Sequence, residues 1–194
     1  MFQRIRFLTF AAALSASSVG AVPAMGADCI GVQFPDNVKV GSNDLVLNGL
    51  GIRKATIFSV KVYVSGLYLP GKSGNEEQIL ATNLPWQQVL RFVHDVDASD
   101  ISDAFDDGFK KAAGENLDAL SERIEALKTQ MIDFKTGHVL SYAYEPNVGT
   151  VIDVNGKTST IEGADFAAAL LTISIGPEPP NEDLKSGLLG GKCD

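Results

Sequence analysis

Three side chains of this sequence carry groups that could hold a polar ligand: Arg53, Tyr63 and His94. The guanidinium of Arg53 can bind a carboxylate through two parallel hydrogen bonds. It needs such a partner wherever it is partly buried, because an unpaired buried charge is costly. A carboxylate or phenolate of a ligand could supply that partner, and so could an internal acid such as Asp95. An arginine on the surface would need none.

The other two side chains lie in segments that read as strands. His94 shares a predicted strand face with Phe92 and Val96, so we expect it to point inward, where a neutral imidazole can hydrogen-bond a ligand. An unperturbed histidine titrates near pH ~6.5, which would make such binding sensitive to pH. A histidine satisfied by backbone groups is the alternative for His94, and plain packing is the alternative for Tyr63. We assign no catalytic residue.

The motifs of common enzyme classes give little support for catalysis. Gly66 to Ser73 fits the phosphate-binding pattern GxxxxGK[ST], but a working loop needs a helix that opens at the lysine. The residues after Ser73 continue as a turn, so we do not expect a nucleotide site. His94 and His138 are far apart and no acidic cluster accompanies them, which argues against a metal site. We predict no cofactor.

The only two cysteines, Cys29 and Cys193, lie near the two ends of the chain. In an oxidising compartment such a pair is more often bridged than free. We therefore predict a disulfide, with two unpaired thiols on frayed termini as the alternative.

The first 26 residues indicate export. Arg4 and Arg6 precede an uncharged apolar run, and small residues follow at Ala24 and Gly26, as in a cleavable signal peptide. We predict a signal peptide over residues 1–26, a single domain over 27–194, a periplasmic location and no stable membrane insertion. The net charge of −8 argues against a nucleic-acid partner, which requires clustered basic residues.

The pattern of apolar residues predicts strands first, helices in the middle, then a hairpin and further helices, which is an α+β arrangement. Strand-like sequence covers residues 38–69, with turns at Gly41–Asp44 and at Gly49 and Gly51. We expect Ser99 to cap the first long helix, and Asn155-Gly156 to form a two-residue hairpin turn.

Two segments together resemble the signature of the chalcone isomerase and chalcone-isomerase-like family. LNGLGIR at residues 47–53 is similar to the family's glycine-rich turn ending in arginine, and VKVYVSGLYL at 60–69 to its strand of the form VKxxxxGxY. The blocks from Phe134 to Tyr144 and from Phe166 to Gly176 look similar too. The resemblance implies an open-faced antiparallel β-sheet packed by helices on one side, with a ligand cleft between the sheet and the helices.

The resemblance also implies roles for single residues. Arg53 matches the family's pocket arginine, Tyr63 falls near a tyrosine of the fatty-acid-binding relatives, and His94 falls near a pocket lysine of the isomerases. The isomerases orient their substrate with a tyrosine and an asparagine on the first long helix, where this chain has Ile101 and Gly108. Their hydroxyl near the end of the third helix corresponds to Ile173. The loss of these polar groups argues against chalcone cyclisation.

Three functions remain open at this point. The first is a periplasmic, non-catalytic binding protein for a small amphipathic carboxylate such as a fatty acid. We expect apolar residues to line its pocket: Ile57, Val62, Val64, Phe92, Phe105, Phe109 and Phe166. The second is an isomerase or intramolecular lyase, with Arg53 as electrophile and His94 or Tyr63 as acid or base. The third is a protein-interaction module with a protein partner, its cleft filled by Phe58 or Met131.

Overall fold

The computed structural model describes residues 26–55 and 58–194 of the chain. The predicted signal peptide, apart from Gly26, lies outside the described residues. The strands are β1 (Gly26–Cys29), β2 (Val32–Pro35), β3 (Asn37–Val40), β4 (Asn43–Ala55), β5 (Val60–Leu69), β6 (Trp86–Phe92), β7 (Val139–Glu145), β8 (Gly149–Val154) and β9 (Lys157–Ile161). The helices are α1 (Glu76–Leu80), α2 (Ala98–Ala112), α3 (Leu117–Lys128), α4 (Ala164–Ile175) and α5 (Glu182–Leu188).

Strands β3 to β9 form one antiparallel sheet in which the spatial order is the sequence order. Alternation of buried and half-buried residues along β6 and β7 explains why these segments form strands with one face against a core. Asn155 and Gly156 join β8 to β9 with φ values of 50° and 93°, which is the left-handed backbone that a tight hairpin turn requires. This confirms the predicted hairpin and the α+β fold class.

The main core lies between one face of the sheet and helices α2 to α5. Helix α2 contributes Ile101, Phe105 and Phe109, and their spacing of four residues places them on one stripe. Helix α4 is more deeply buried, with most of its residues from Phe166 to Ile175 in the core. The predicted packing of helices on one side of the sheet is therefore confirmed.

The other face of the sheet carries a second, smaller core under the β1–β2 hairpin. Phe34 of this hairpin is 1% exposed, and it packs with apolar residues of β3, β4 and β5: Val40, Leu45, Ile52, Val64 and Tyr68. The hairpin was not predicted as a separate layer. It covers β4 and β5 on the face that the helices leave free.

Several predicted boundaries were wrong. Strand β6 ends at Phe92, although the strand alternation was expected to continue to Val96. Helix α2 begins at Ala98, so its N-cap residue is Asp97 and not the predicted Ser99. Gly49 and Gly51 lie inside β4 rather than in a turn. The first helix after Lys72 begins only at Glu76, which agrees with the rejection of a phosphate-binding loop.

Cys29 and Cys193 form the predicted disulfide, with their Cα atoms 6.0 Å apart. The bond joins the β1–β2 hairpin to the segment that follows α5. In the part of the chain that the structure describes, no helix is long and apolar enough to cross a bilayer.

Candidate functional site

Arg53 and Tyr63 are direct cross-strand partners of β4 and β5. Both side chains belong to the helix-covered face of the sheet, since Tyr63 packs against the main core and stacks edge-on against Phe92, with ring centroids 5.6 Å apart. The guanidinium of Arg53 lies close enough to Tyr63 to act electrostatically on its hydroxyl. The structure thus brings together two of the three side chains that the sequence singles out.

The partners of Arg53 are backbone carbonyls rather than acids. Its Nη1 donates to the carbonyl oxygen of Lys54 and, at 3.4 Å, to that of Pro180. Within the described residues no carboxylate lies at ion-pair distance from Arg53, and Asp95, the internal acid considered above, pairs with Lys135 instead. A half-buried guanidinium without an anion keeps most of its capacity to bind one.

A second buried tyrosine extends this group into the interior. Tyr142 of β7 is 3% exposed and lies near Tyr63, whose negative charge on ionisation would add to the effect of burial on Tyr142. Burial raises the pKa of Tyr63 to about 12, although the Arg53 charge opposes the shift, and it raises the pKa of Tyr142 well above its usual value. Both hydroxyls are therefore neutral hydrogen-bond donors at physiological pH.

A buried polar cluster lies next to Tyr142. Gln88, its partner across β6 and β7, is 1% exposed. The Nε2 of Gln88 donates to Ser65 Oγ at 3.0 Å and to Ser174 Oγ at 2.8 Å. Neither Tyr142 nor Gln88 was predicted as a site residue from the sequence. The only sequence signal for them is a polar residue at an inward position of an alternating strand.

The structure corrects the predicted placement of His94. Because β6 ends at Phe92, the chain turns at His94, and this residue is exposed rather than inward-facing. Its backbone N–H donates to the carbonyl oxygen of Val62 at 3.2 Å. His94 is not part of the group formed by Arg53 and Tyr63.

Most of the residues expected to line a pocket are core residues, and the lining itself stays a prediction. Val62, Phe92, Phe105 and Phe109 lie in or against the main core. Phe166 also lies there, with no exposed surface, whereas Val64 faces the second core on the other side of the sheet. Ile57 lies outside the described residues. Of the two residues considered as fillers of the cleft, Met131 is buried and Phe58 is 82% exposed.

The three positions that carry polar groups in the isomerases are apolar or close-packed here. Ile101 is 8% exposed and belongs to the main core. A Cβ added at Gly108 would lie 2.8 Å from Ile173, so α2 and α4 touch at this point. No polar side chain occupies these three positions.

Two surface clefts lie away from this group. One, of about 320 Å³, is bordered by Asn83 and Tyr144, which already hydrogen-bond each other at 2.5 Å. The other, of about 270 Å³, lies between the end of β5 and α1, and its one charged side chain is the exposed Lys72. Among the described residues, no three His, Cys, Asp or Glu side chains cluster in a way that could hold a metal ion.

Comparison with known proteins defines the class of protein. Residues 26–190 match the family model described as chalcone isomerase-like, which covers most of the chain. The chain therefore belongs to the chalcone isomerase-like family, as the sequence resemblance indicates.

A solved structure shows the same fold. The crystal structure of a fatty-acid binding protein of Arabidopsis thaliana is similar to this chain with a TM-score of 0.68 and 14% sequence identity. The similarity covers 82% of this chain and 92% of the plant protein. No curated protein matches the sequence.

Proposed function

We propose that this protein binds a fatty acid or a similar amphipathic carboxylate in the cleft between the sheet and the helices. The observation that carries the proposal is Arg53, a half-buried cation with only carbonyl partners beside the neutral hydroxyl donor Tyr63. A carboxylate would supply the missing negative charge. The family membership and the fatty-acid-binding plant structure support the same class of ligand.

The chemistry of binding follows from the two head-group residues. The guanidinium offers a planar fork to both carboxylate oxygens, and a tyrosine hydroxyl adds a third hydrogen bond. The apolar chain of the ligand would lie among the aromatic residues of the main core, such as Phe92, Phe105 and Phe109. Apolar walls with a few convergent polar groups are typical of sites for such molecules.

The proposal extends to location and to the absence of catalysis. Export to the periplasm rests on the basic, apolar and small-residue pattern of residues 1–26. Binding without reaction rests on Ile101, Gly108 and Ile173, which provide no polar group where the isomerases use them. His94, being exposed, has no part in the proposed site.

The test is a comparison of wild type with Arg53→Ala by titration calorimetry against dodecanoate, together with native mass spectrometry of protein purified from the periplasm. We expect wild type to bind and Arg53→Ala to bind about 10- to 100-fold more weakly, because a hydrogen bond to a charged group contributes about 1.5–3 kcal/mol.

Arg123→Ala is the matched control, since Arg123 pairs with Asp165 on the surface of the protein. Arg123→Ala removes one positive charge, as Arg53→Ala does, but away from the proposed site. It should bind dodecanoate with the affinity of wild type. A wild type that ignores a panel of fatty acids, or an Arg53→Ala variant with unchanged affinity, would overturn the proposal.

A further inference from the structure

Tyr142 carries a hydroxyl that the protein itself does not use. Of the four tyrosines, Tyr68 donates to the carbonyl oxygen of Pro35 at 3.0 Å and Tyr144 donates to Asn83. Tyr142 is as deeply buried as these two, yet its hydroxyl makes no hydrogen bond to any described residue. Its oxygen is not among the polar atoms that are sealed from solvent without a partner, so this hydroxyl can still offer its hydrogen bond to a ligand.

Gln88, the neighbour of Tyr142, has an acceptor oxygen without a hydrogen-bond partner. Gln88 lies directly opposite Tyr142 on β6, and its Nε2 is satisfied by Ser65 and Ser174. Its Oε1 is sealed from solvent and has no hydrogen-bond partner. An unused donor and an unused acceptor therefore lie on adjacent strands, on the face that the helices cover.

Tyr63 connects this pair to the proposed head-group site. It is the cross-strand partner of Arg53, and it lies near enough to Tyr142 to act on it electrostatically. The ring of Phe105 packs edge-on against Tyr142, with centroids 6.3 Å apart, which places an apolar wall over this position. A ligand that enters with its carboxylate at Arg53 would pass Tyr142 within the first part of its chain.

We propose that the site selects carboxylates that carry a hydroxyl group close to the head group, and that Tyr142 recognises this hydroxyl group. This proposal rests on the proposed function. The ligand hydroxyl accepts a hydrogen bond from Tyr142 and donates one to Gln88 Oε1. A hydroxyl is the group that satisfies both, because it can accept and donate at the same oxygen. A plain fatty acid leaves both protein groups unpaired, and sites with unpaired buried polar groups discriminate against such ligands.

The test compares dodecanoate with β-hydroxydodecanoate by titration calorimetry on wild type and on Tyr142→Phe. We expect wild type to prefer the hydroxylated acid by about tenfold, which corresponds to about 1.4 kcal/mol. We expect Tyr142→Phe to lose this preference and to bind dodecanoate at least as tightly as wild type does. Tyr68→Phe, which removes a hydroxyl on the other face of the sheet, should keep the preference.

The outcomes separate the two proposals. A wild type that binds both acids equally would overturn the selection for a hydroxyl and leave the proposed function intact. A wild type that binds neither acid would overturn both. A Tyr142→Phe variant that folds, as its thermal melt would show, and still prefers the hydroxylated acid would overturn the role of Tyr142.

Discussion

Tyr63, Tyr68 and Tyr142 hold their hydroxyl groups in surroundings that disfavour ionisation. Desolvation is the largest cause of the raised pKa in each case, and it brings Tyr63 and Tyr68 to about 12. The ordinary tyrosine pKa near ~10 applies to the unfolded chain. The folded protein therefore holds more protons than the unfolded chain between about pH 10 and 12.

This difference predicts a loss of stability in alkali. Stability falls with pH wherever the folded state binds more protons, so the contribution of these groups is complete below pH ~10 and is lost as pH rises toward ~12. Each tyrosine should contribute a slope of up to about 1.4 kcal/mol per pH unit. Urea unfolding at several pH values above ~9 measures the slope, and the double variant Tyr63→Phe, Tyr142→Phe should flatten it. An equal slope in wild type and in the double variant would contradict this account.

At the scale of elements, the residues that lead into α5 contact β4 and provide a hydrogen-bond acceptor for Arg53. The half of β4 beyond β3 has a free edge, and Asn181 covers it: its Nδ2 donates to the carbonyl oxygen of Ile52 at 3.1 Å, and its Oδ1 accepts from the backbone N–H of Lys54 at 3.2 Å. Unpaired strand edges invite association with other chains. The same segment supplies the Pro180 carbonyl to Arg53.

This close contact explains the glycines of β4. A Cβ at Gly51 would lie 2.3 Å from the carbonyl oxygen of Leu184. We expect Gly51→Ala to push α5 away and to destabilise the protein by about 1–3 kcal/mol, measured by chemical denaturation. Gly71→Ala is the control, because no atom lies within 4 Å of its Cβ position and its stability should stay near that of wild type. Equal stability of the two variants would show that the packing of α5 against β4 does not require a glycine at position 51.

The sequence predicted the elements better than their contacts. Local patterns identified most strands of the main sheet, the long helices and the Asn155-Gly156 hairpin because these signals depend on nearby residues. They missed the β1–β2 hairpin. The role of Gly51 was misassigned to a turn because the helix that approaches it is far away in sequence. His94 was expected to point inward because alternation was extended past the true end of β6. The unpaired hydroxyl of Tyr142 could not be predicted, because whether a partner exists depends on the whole core.

For the whole molecule, the disulfide links the two sides of the sheet. Both cysteines lie at the second core, under the β1–β2 hairpin. Cys193 reaches it by way of the segment that follows α5, a helix whose apolar residues belong to the main core. The bond spans a sequence separation of 164 residues, for which the chain-entropy model gives about 5 kcal/mol.

We therefore expect Cys193→Ser to lower the free energy of unfolding by a few kcal/mol, measured by urea denaturation. Adding a reductant should lower the stability of wild type to a similar level and should leave the variant unchanged. Stability of wild type that does not respond to complete reduction would show that the bond adds nothing to the packing already present.

The order of strands has a consequence for the order of folding. The neighbouring strands of the seven-stranded sheet are consecutive in the chain. Most of their connections are short, so most pairings close short loops at a small entropic cost. Asn181 and Ile52 are 129 positions apart in the chain. Because closing so long a loop costs more chain entropy, we expect this contact to form late. We expect the backbone N–H of Lys54 to become protected from hydrogen exchange after those of β5 and β6, which pulse labelling during refolding can test. The main core would then form before the carbonyl that steadies Arg53 arrives, so that the proposed head-group site would be complete only in the last step of folding.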